Sequence, residues 1–224
     1  MTEPTPSIVV TAQGPYLVEG GVPLRRRRPV SSVLGEPVAW ETTGEVPAEE
    51  SYALCRCGGS QNKPFCDGTH ATRDWDGAEQ PPAAPYDERA REYPGEGVTV
   101  QDVRGICAHA GFCANKVTNV WKMAAATADS DLRNDMLAMI DRCPSGALQY
   151  RLADESAPHE ADLSPTVNLV QDGPLWVTGG VQVTRADGTV IETRARLTLC
   201  RCAASANKPF CDGSHAATGF RDPA

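Results

Sequence analysis

The chain has 224 residues, enough for a packed core, of which 41% are hydrophobic and 6% aromatic, and its 20 Gly and 18 Pro point to short elements joined by many turns. Its formal charge of −8 disfavours a nucleic-acid partner, because binding phosphates needs a concentrated basic surface. No stretch approaches the roughly 18 apolar residues that cross a bilayer, and residues 1–6 carry neither a basic segment nor an apolar run, so a cytoplasmic protein without a membrane partner is expected.

In chain order, residues 8–10 and 16–18 alternate like two strands around a turn. Arg25 to Arg28, ahead of Pro29, read as a solvated loop, with a docking site for an acidic partner as the alternative. After a first cysteine cluster, residues 79–97 form a linker rich in Pro, Ala and charge. Residues 98–103 then alternate like a strand, and residues 131–141 place Leu132, Met136, Met139 and Ile140 on one helical face with Ser130 as N-cap. Residues 147–152 read as a closing strand, and residues 154–165 as a second linker. Beyond it, residues 167–170 and 175–177 form a second hairpin, and residues 181–183 and 190–199 flank the turn dipeptide Asp187-Gly188. These shifts divide the chain into residues 1–78, 97–153 and 166–224.

The outer two parts are copies of one another. Gly14-Pro15-Tyr16-Leu17-Val18-Glu19-Gly20-Gly21-Val22 matches Gly173-Pro174-Leu175-Trp176-Val177-Thr178-Gly179-Gly180-Val181, and Asn62-Lys63-Pro64-Phe65-Cys66-Asp67-Gly68 recurs as Asn207-Lys208-Pro209-Phe210-Cys211-Asp212-Gly213. The first copy is the longer, with its surplus between the arginine run and Ala48.

Nine cysteines, an odd number without an export signal, argue against a disulfide framework and for metal ligation. They fall into three groups: Cys55, Cys57 and Cys66, then Cys107, Cys113 and Cys143, then Cys200, Cys202 and Cys211. In each outer group a histidine, His70 or His215, completes C-x-C-x8-C-x3-H, a set of four ligands from one local unit. Asp67 stands where an N-cap would open a helix over Gly68, Thr69 and His70, whose N–H groups could face cluster sulfurs. A zinc site is the alternative for such a ligand set.

Both copies resemble the CDGSH iron-sulfur domain of the NEET family, C-x-C-x2-[ST]-x3-P-x-C-D-G-[STA]-H, with Ser60 and Ser205, Pro64 and Pro209, and Thr69 and Ser214 at its remaining positions. The resemblance implies a 2Fe-2S cluster held by three cysteines and one histidine at each copy. It also implies an α+β, mainly β fold, in which a pseudo-twofold β-sandwich within one chain replaces the family's usual homodimer, making the protein a monomer.

In the middle group, Cys107-Ala108-His109-Ala110-Gly111-Phe112-Cys113 and Cys143-Pro144 resemble a single-cluster ferredoxin and the divergent single-cluster ferredoxins, with Ala110 at the middle cysteine position. Three thiolates suit a 3Fe-4S cluster in a small ferredoxin-like α+β insertion. A 4Fe-4S cluster with His109 as fourth ligand is the alternative, and a buried-thiol domain without a cluster is the plainest one.

No phosphate loop, nucleophile elbow or nicotinamide fingerprint occurs in the chain, so an electron carrier between a reductase and an acceptor is expected in place of an enzyme. Cluster storage or transfer, and redox or pH sensing, are the competing expectations. Lys63 and Lys208 could add positive charge near the outer sites.

Overall fold

The structure, a computed structural model, describes residues 5–81 and 83–222. It is mainly β with a few short helices, and each half of the duplication begins with the hairpin its alternation predicts. In the first half β1 (Ser7–Val10) pairs antiparallel with β2 (Tyr16–Glu19), followed by β3 (Leu24–Ser31), β4 (Pro37–Val46) and β5 (Tyr52–Leu54). In the second half β9 (Thr166–Val170) pairs with β10 (Leu175–Thr178), followed by β11 (Gln182–Thr184) and β12 (Arg196–Leu199).

The halves exchange strands. One sheet runs β11-β1-β2-β5 and the other β12-β10-β9-β3-β4, so β11 joins the first half's sheet and β3 the second's, each by a parallel pairing. Between the sheets Ile8, Val10, Val18, Val167, Leu169 and Leu199 share one buried core, each contributing about 1.5–3 kcal/mol.

β1 and β2 alternate buried residues with half-buried or exposed ones, but β9, β10 and β12 are buried throughout. On their outer face Trp176 meets Trp40 of β4, and Arg196 meets the middle segment, whose three-stranded antiparallel sheet orders β6 (Arg91–Gly95), β7 (Val98–Asp102) and β8 (Leu148–Leu152). Ahead of it lies a single turn, α1 (Tyr86–Arg89). Met123 of α2 (Val120–Ala124) and Met136 and Ile140 of α3 (Ser130–Asp141) pack with Val100 and Leu148 of this sheet.

Several sequence expectations change. The helix cap is Asp129, whose carboxylate accepts from the N–H groups of Asp131 and Leu132, so Ser130 is already helical. β6 and α1 occupy the stretch read as linker, where Pro94 and Gly95 hide an edge strand. The predicted strand over residues 190–199 is confined to β12, with only an isolated bridge between Thr184 and Val190.

The arginine run is strand β3 instead of a loop. Arg25 and Arg28 pair with Glu45 and Glu41 on β4, Arg27 lies 5.0 Å from the Trp176 ring centre, and Arg26 reaches Asp222 at 3.5 Å. The surplus of the first copy is therefore the β3–β4 hairpin, and it straps the middle segment: Trp40 Nε1 donates to the Arg142 carbonyl at 2.9 Å and its ring lies 4.8 Å from Phe112.

A second tie comes from β12. Arg196, fully buried, donates to the carbonyls of Ile140, Asp141 and Leu148 and pairs with Glu160 at 3.0 Å. Arg194 donates to the Gly146 carbonyl at 2.8 Å and covers the Tyr86 ring. No described helix is long and apolar enough to cross a membrane.

Candidate metal centres

Each outer motif closes because its two cysteine segments pair like a miniature hairpin. Cys55 N–H donates to the Pro64 carbonyl and Cys66 N–H to that of Ala53, both at 2.9 Å, and Cys200 and Cys211 bond to Pro209 and Thr198 at 2.8 and 3.0 Å. The motif hydroxyls lock the intervening turn, since Ser60 and Ser205 each donate to the phenylalanine carbonyl five residues on at 2.7 Å. Pro64 and Pro209 both follow cis peptide bonds. Lys63 and Lys208 are not free surface charges: their ammonium groups donate to the Ser60 and Ser205 carbonyls, and Lys208 is buried.

The motif aspartates fix the last ligand. Asp67 accepts from the N–H groups of Gln61 and Thr69, and Asp212 from those of Ala206 and Ser214. Hydrogen bonds led by the Thr69 side chain and joined by the Thr69 and Gln61 N–H groups hold the Asp67 carboxyl below its ordinary range. At Asp212 burial acts upward, but hydrogen bonds led by the Ser214 hydroxyl outweigh it and the result is again a lowered value. The next residue, Gly68 or Gly213, has φ near +86°, open to glycine, before the turns that carry His70 and His215.

The ligand groups come in two pairs per motif. Cys55 and Cys57 sulfurs stand 3.9 Å apart and Cys66 Sγ lies 3.3 Å from His70 Nδ1; the second copy gives 3.7 Å for Cys200 and Cys202 and 3.4 Å for Cys211 and His215. Two thiolates on one tetrahedral metal at about 2.3 Å stand about 3.8 Å apart, and a thiolate and an imidazole about 3.5 Å. Each pair thus has the spacing of two ligands on one tetrahedral metal. Among the described residues no three such groups converge on a single ion.

The surroundings suit anionic sulfur. Gly59 N–H donates to Cys57 Sγ and Gly213 N–H to Cys211 Sγ, both at 3.4 Å. Burial pushes the Cys55 thiol up, opposed by the N–H groups of Ser60 and Gly58, and pushes Cys211 up to about 12, opposed by Gly213. Cys200 and Cys202 share a hydrogen bond that lowers Cys200 and raises Cys202, so one proton leaves the pair easily and the second does not. Bound metal supplies the positive charge that ionises such thiols. Burial lowers His215, assisted by the Arg201 charge.

Sequence reasoning missed Arg56 and Arg201, the middle residues of each C-x-C, both buried. Arg56 donates to the carbonyls of Thr11 and Gly77, and Arg201 to those of Gly173 and Val170 and to the Asp222 carboxylate. Their recurrence in both copies was the available signal.

In the middle segment Cys107, Cys113 and Cys143 line one cavity of about 130 Å³, with Ala110 at the vacant cysteine position. Burial raises the Cys113 thiol, with Cys143 and Cys107 adding to it. Arg104, paired with Asp102 at 2.9 Å, brings positive charge beside Cys107 and Cys113. His109 N–H donates to Cys107 Sγ at 3.4 Å, but its side chain packs on the second motif: a β-carbon at Gly213 would stand 3.1 Å from the Cβ and Cδ2 of His109. His159 stacks on Tyr150 beside Glu155, away from all three groups in sequence and contacts.

The chain matches two known families. Residues 13–71 and 172–216 each match the family described as iron-binding zinc finger, CDGSH type, and residues 93–153 match the family described as divergent 4Fe-4S mono-cluster. No curated protein and no solved structure matches the chain. Two CDGSH-type domains enclosing a divergent mono-cluster domain make this chain an iron-sulfur protein.

Proposed function

We propose that the protein is a one-electron carrier with three clusters. Cys55, Cys57, Cys66 and His70 hold one 2Fe-2S cluster, Cys200, Cys202, Cys211 and His215 hold another, and Cys107, Cys113 and Cys143 hold a 3Fe-4S cluster. The observation that carries the outer assignments is the division of each motif into two metal-spanning pairs. The middle one rests on three thiolates around a single cavity whose fourth corner is Ala110. The family description favours a 4Fe-4S cluster as the second reading, for which a non-cysteine ligand must complete the site.

Such clusters supply reversible one-electron redox chemistry when bound. The chain's own residues hold the sulfurs in N–H donors, place a neutral imidazole at each outer site and keep Arg104 beside the middle one, all of which favour the reduced form. The reciprocal pairing of β3 with β9 and β1 with β11 supports a pseudo-twofold sandwich in which one chain does the work of a dimer, with domains at residues 1–78, 97–153 and 166–224. A reductase and an acceptor protein are the partners of a cytoplasmic carrier of this kind; cluster transfer and sensing are the competing roles.

A spectroscopic redox titration of anaerobically purified protein, with iron and acid-labile sulfide analysis, tests the proposal. Seven irons per chain and three reversible couples are expected, with the oxidised middle cluster paramagnetic as isolated. Eight irons would select the 4Fe-4S reading. Clusters that are lost on reduction and appear in an apo-acceptor would replace electron transfer with delivery.

A further inference from the structure

Along the chain the middle segment separates the two CDGSH-type motifs, but in space the ligand loops stand in a different order. The first and second motifs touch directly. Tyr16 donates its hydroxyl proton to the Cys200 carbonyl at 2.6 Å, and a β-carbon at Gly58, next to Cys57, would stand 3.0 Å from the Cys202 carbonyl oxygen.

On its other side the second motif touches the middle segment. His109, two residues from Cys107, lies against Gly213, two residues from both Cys211 and His215. Asn207 Nδ2 donates to the Gly105 carbonyl at 2.7 Å, also two residues from Cys107. The first motif has no such neighbour at the equivalent place: a β-carbon at Gly68 meets nothing within 4 Å.

We propose that the second motif, residues 200–215, is the middle member of a three-site line, with the first motif at one end and the Cys107–Cys113–Cys143 site at the other. The inference rests on the three-cluster reading above. An electron passing between the two end sites crosses the second motif: one site is oxidised by one electron as its neighbour is reduced by one, with no bond made or broken. Both ends are open to solvent, at Asp67 and Gly68 and at Arg104, His109 and Gly111, whereas Asp212 and Gly213 of the second motif are partly covered. External partners therefore meet the line at its ends, and the second motif works internally.

Electron paramagnetic resonance of the full chain during stepwise reduction tests the order. His70→Cys and His215→Cys each alter the ligand set of one motif and so mark its signal. The second-motif signal is expected to be broadened by the middle-segment cluster and to sharpen in Cys113→Ser, which removes that cluster, while the first-motif signal keeps its width. Sharpening of the first-motif signal, or of neither, overturns the proposal.

If Cys113→Ser does not fold, the unmodified chain gives the same readout, because the second-motif signal must change width as the middle cluster changes spin state through the titration; a constant width there also overturns the order. Iron and sulfide counts on the same samples separate this failure from failure of the three-cluster reading, which shows as missing metal in the native chain.

Discussion

Around residues 55–70 and 200–215 the backbone bonds match almost one for one, yet the two motifs have different surroundings. Asp67 and Gly68 face solvent; Asp212 and Gly213 are partly covered, with His109 packed on the glycine. Arg56 ends on two backbone carbonyls, whereas Arg201 also pairs with the buried Asp222 carboxylate. A repeated motif thus fixes the local ligand geometry, while the shielding and charge around it depend on what the rest of the chain lays against each copy.

The largest break in this comparison should come from the buried arginines. Arg201→Met strands the Asp222 carboxylate, leaving it only Arg26 at 3.5 Å, and should cost about 3 kcal/mol. Arg56→Met takes a donor from the Gly77 carbonyl, whereas the Thr11 carbonyl keeps the Gly14 N–H, a loss of about 1–2 kcal/mol. Urea denaturation of the two variants checks the ranking, and equal midpoints would show that Asp222 does not distinguish the sites.

Acid sharpens the comparison further. A free imidazole has a pKa of about 6.5, and His215 lies below it in the folded chain. As pH falls through 6.5 the unfolded chain takes up a proton that the folded chain refuses, so His215 lowers stability progressively until pH reaches its folded value; above 6.5 it contributes nothing. The same depression leaves its nitrogen free to ligate in mild acid. Visible absorbance marked by His70→Cys should therefore show the second-motif cluster surviving below pH 6.5. His215→Cys should abolish its acid loss altogether and lower its potential.

The smallest effect tests the packing of His109. Alanine at Gly68 should cost about 1 kcal/mol for its positive φ. At Gly213 the same strain is joined by the 3.1 Å approach to His109, so Gly213→Ala should be the more destabilising by roughly a further 1 kcal/mol. His109→Gly, which removes both the Cβ and the ring from the 3.1 Å approach, should remove that difference in a double-mutant cycle.

Much of the site was legible because it is local: a ligand set within sixteen residues carries its own turn, hydroxyl lock and aspartate cap. The hairpins were legible by alternation. What escaped depends on distant partners. β3 reads as a charged loop until Trp176 lies under Arg27 and β9 pairs alongside. No pattern singles out Arg196, yet it is fully buried, with its guanidinium donating to three carbonyls and its charge offset by Glu160. The contact between His109 and Gly213 joins segments about a hundred residues apart, and no spacing rule reaches that far.

The exchanged strands also bear on how such a chain can change over generations. A duplicated module whose copies stand side by side can lose one and keep the other. Here β11 completes the first half's sheet and β3 extends the second's, so deleting either copy exposes an unpaired edge in the survivor. The two outer sites are consequently bound to a single inheritance, and the middle segment is held to it as well, since its loss would uncover Arg196 and strip that side chain of its three carbonyl acceptors.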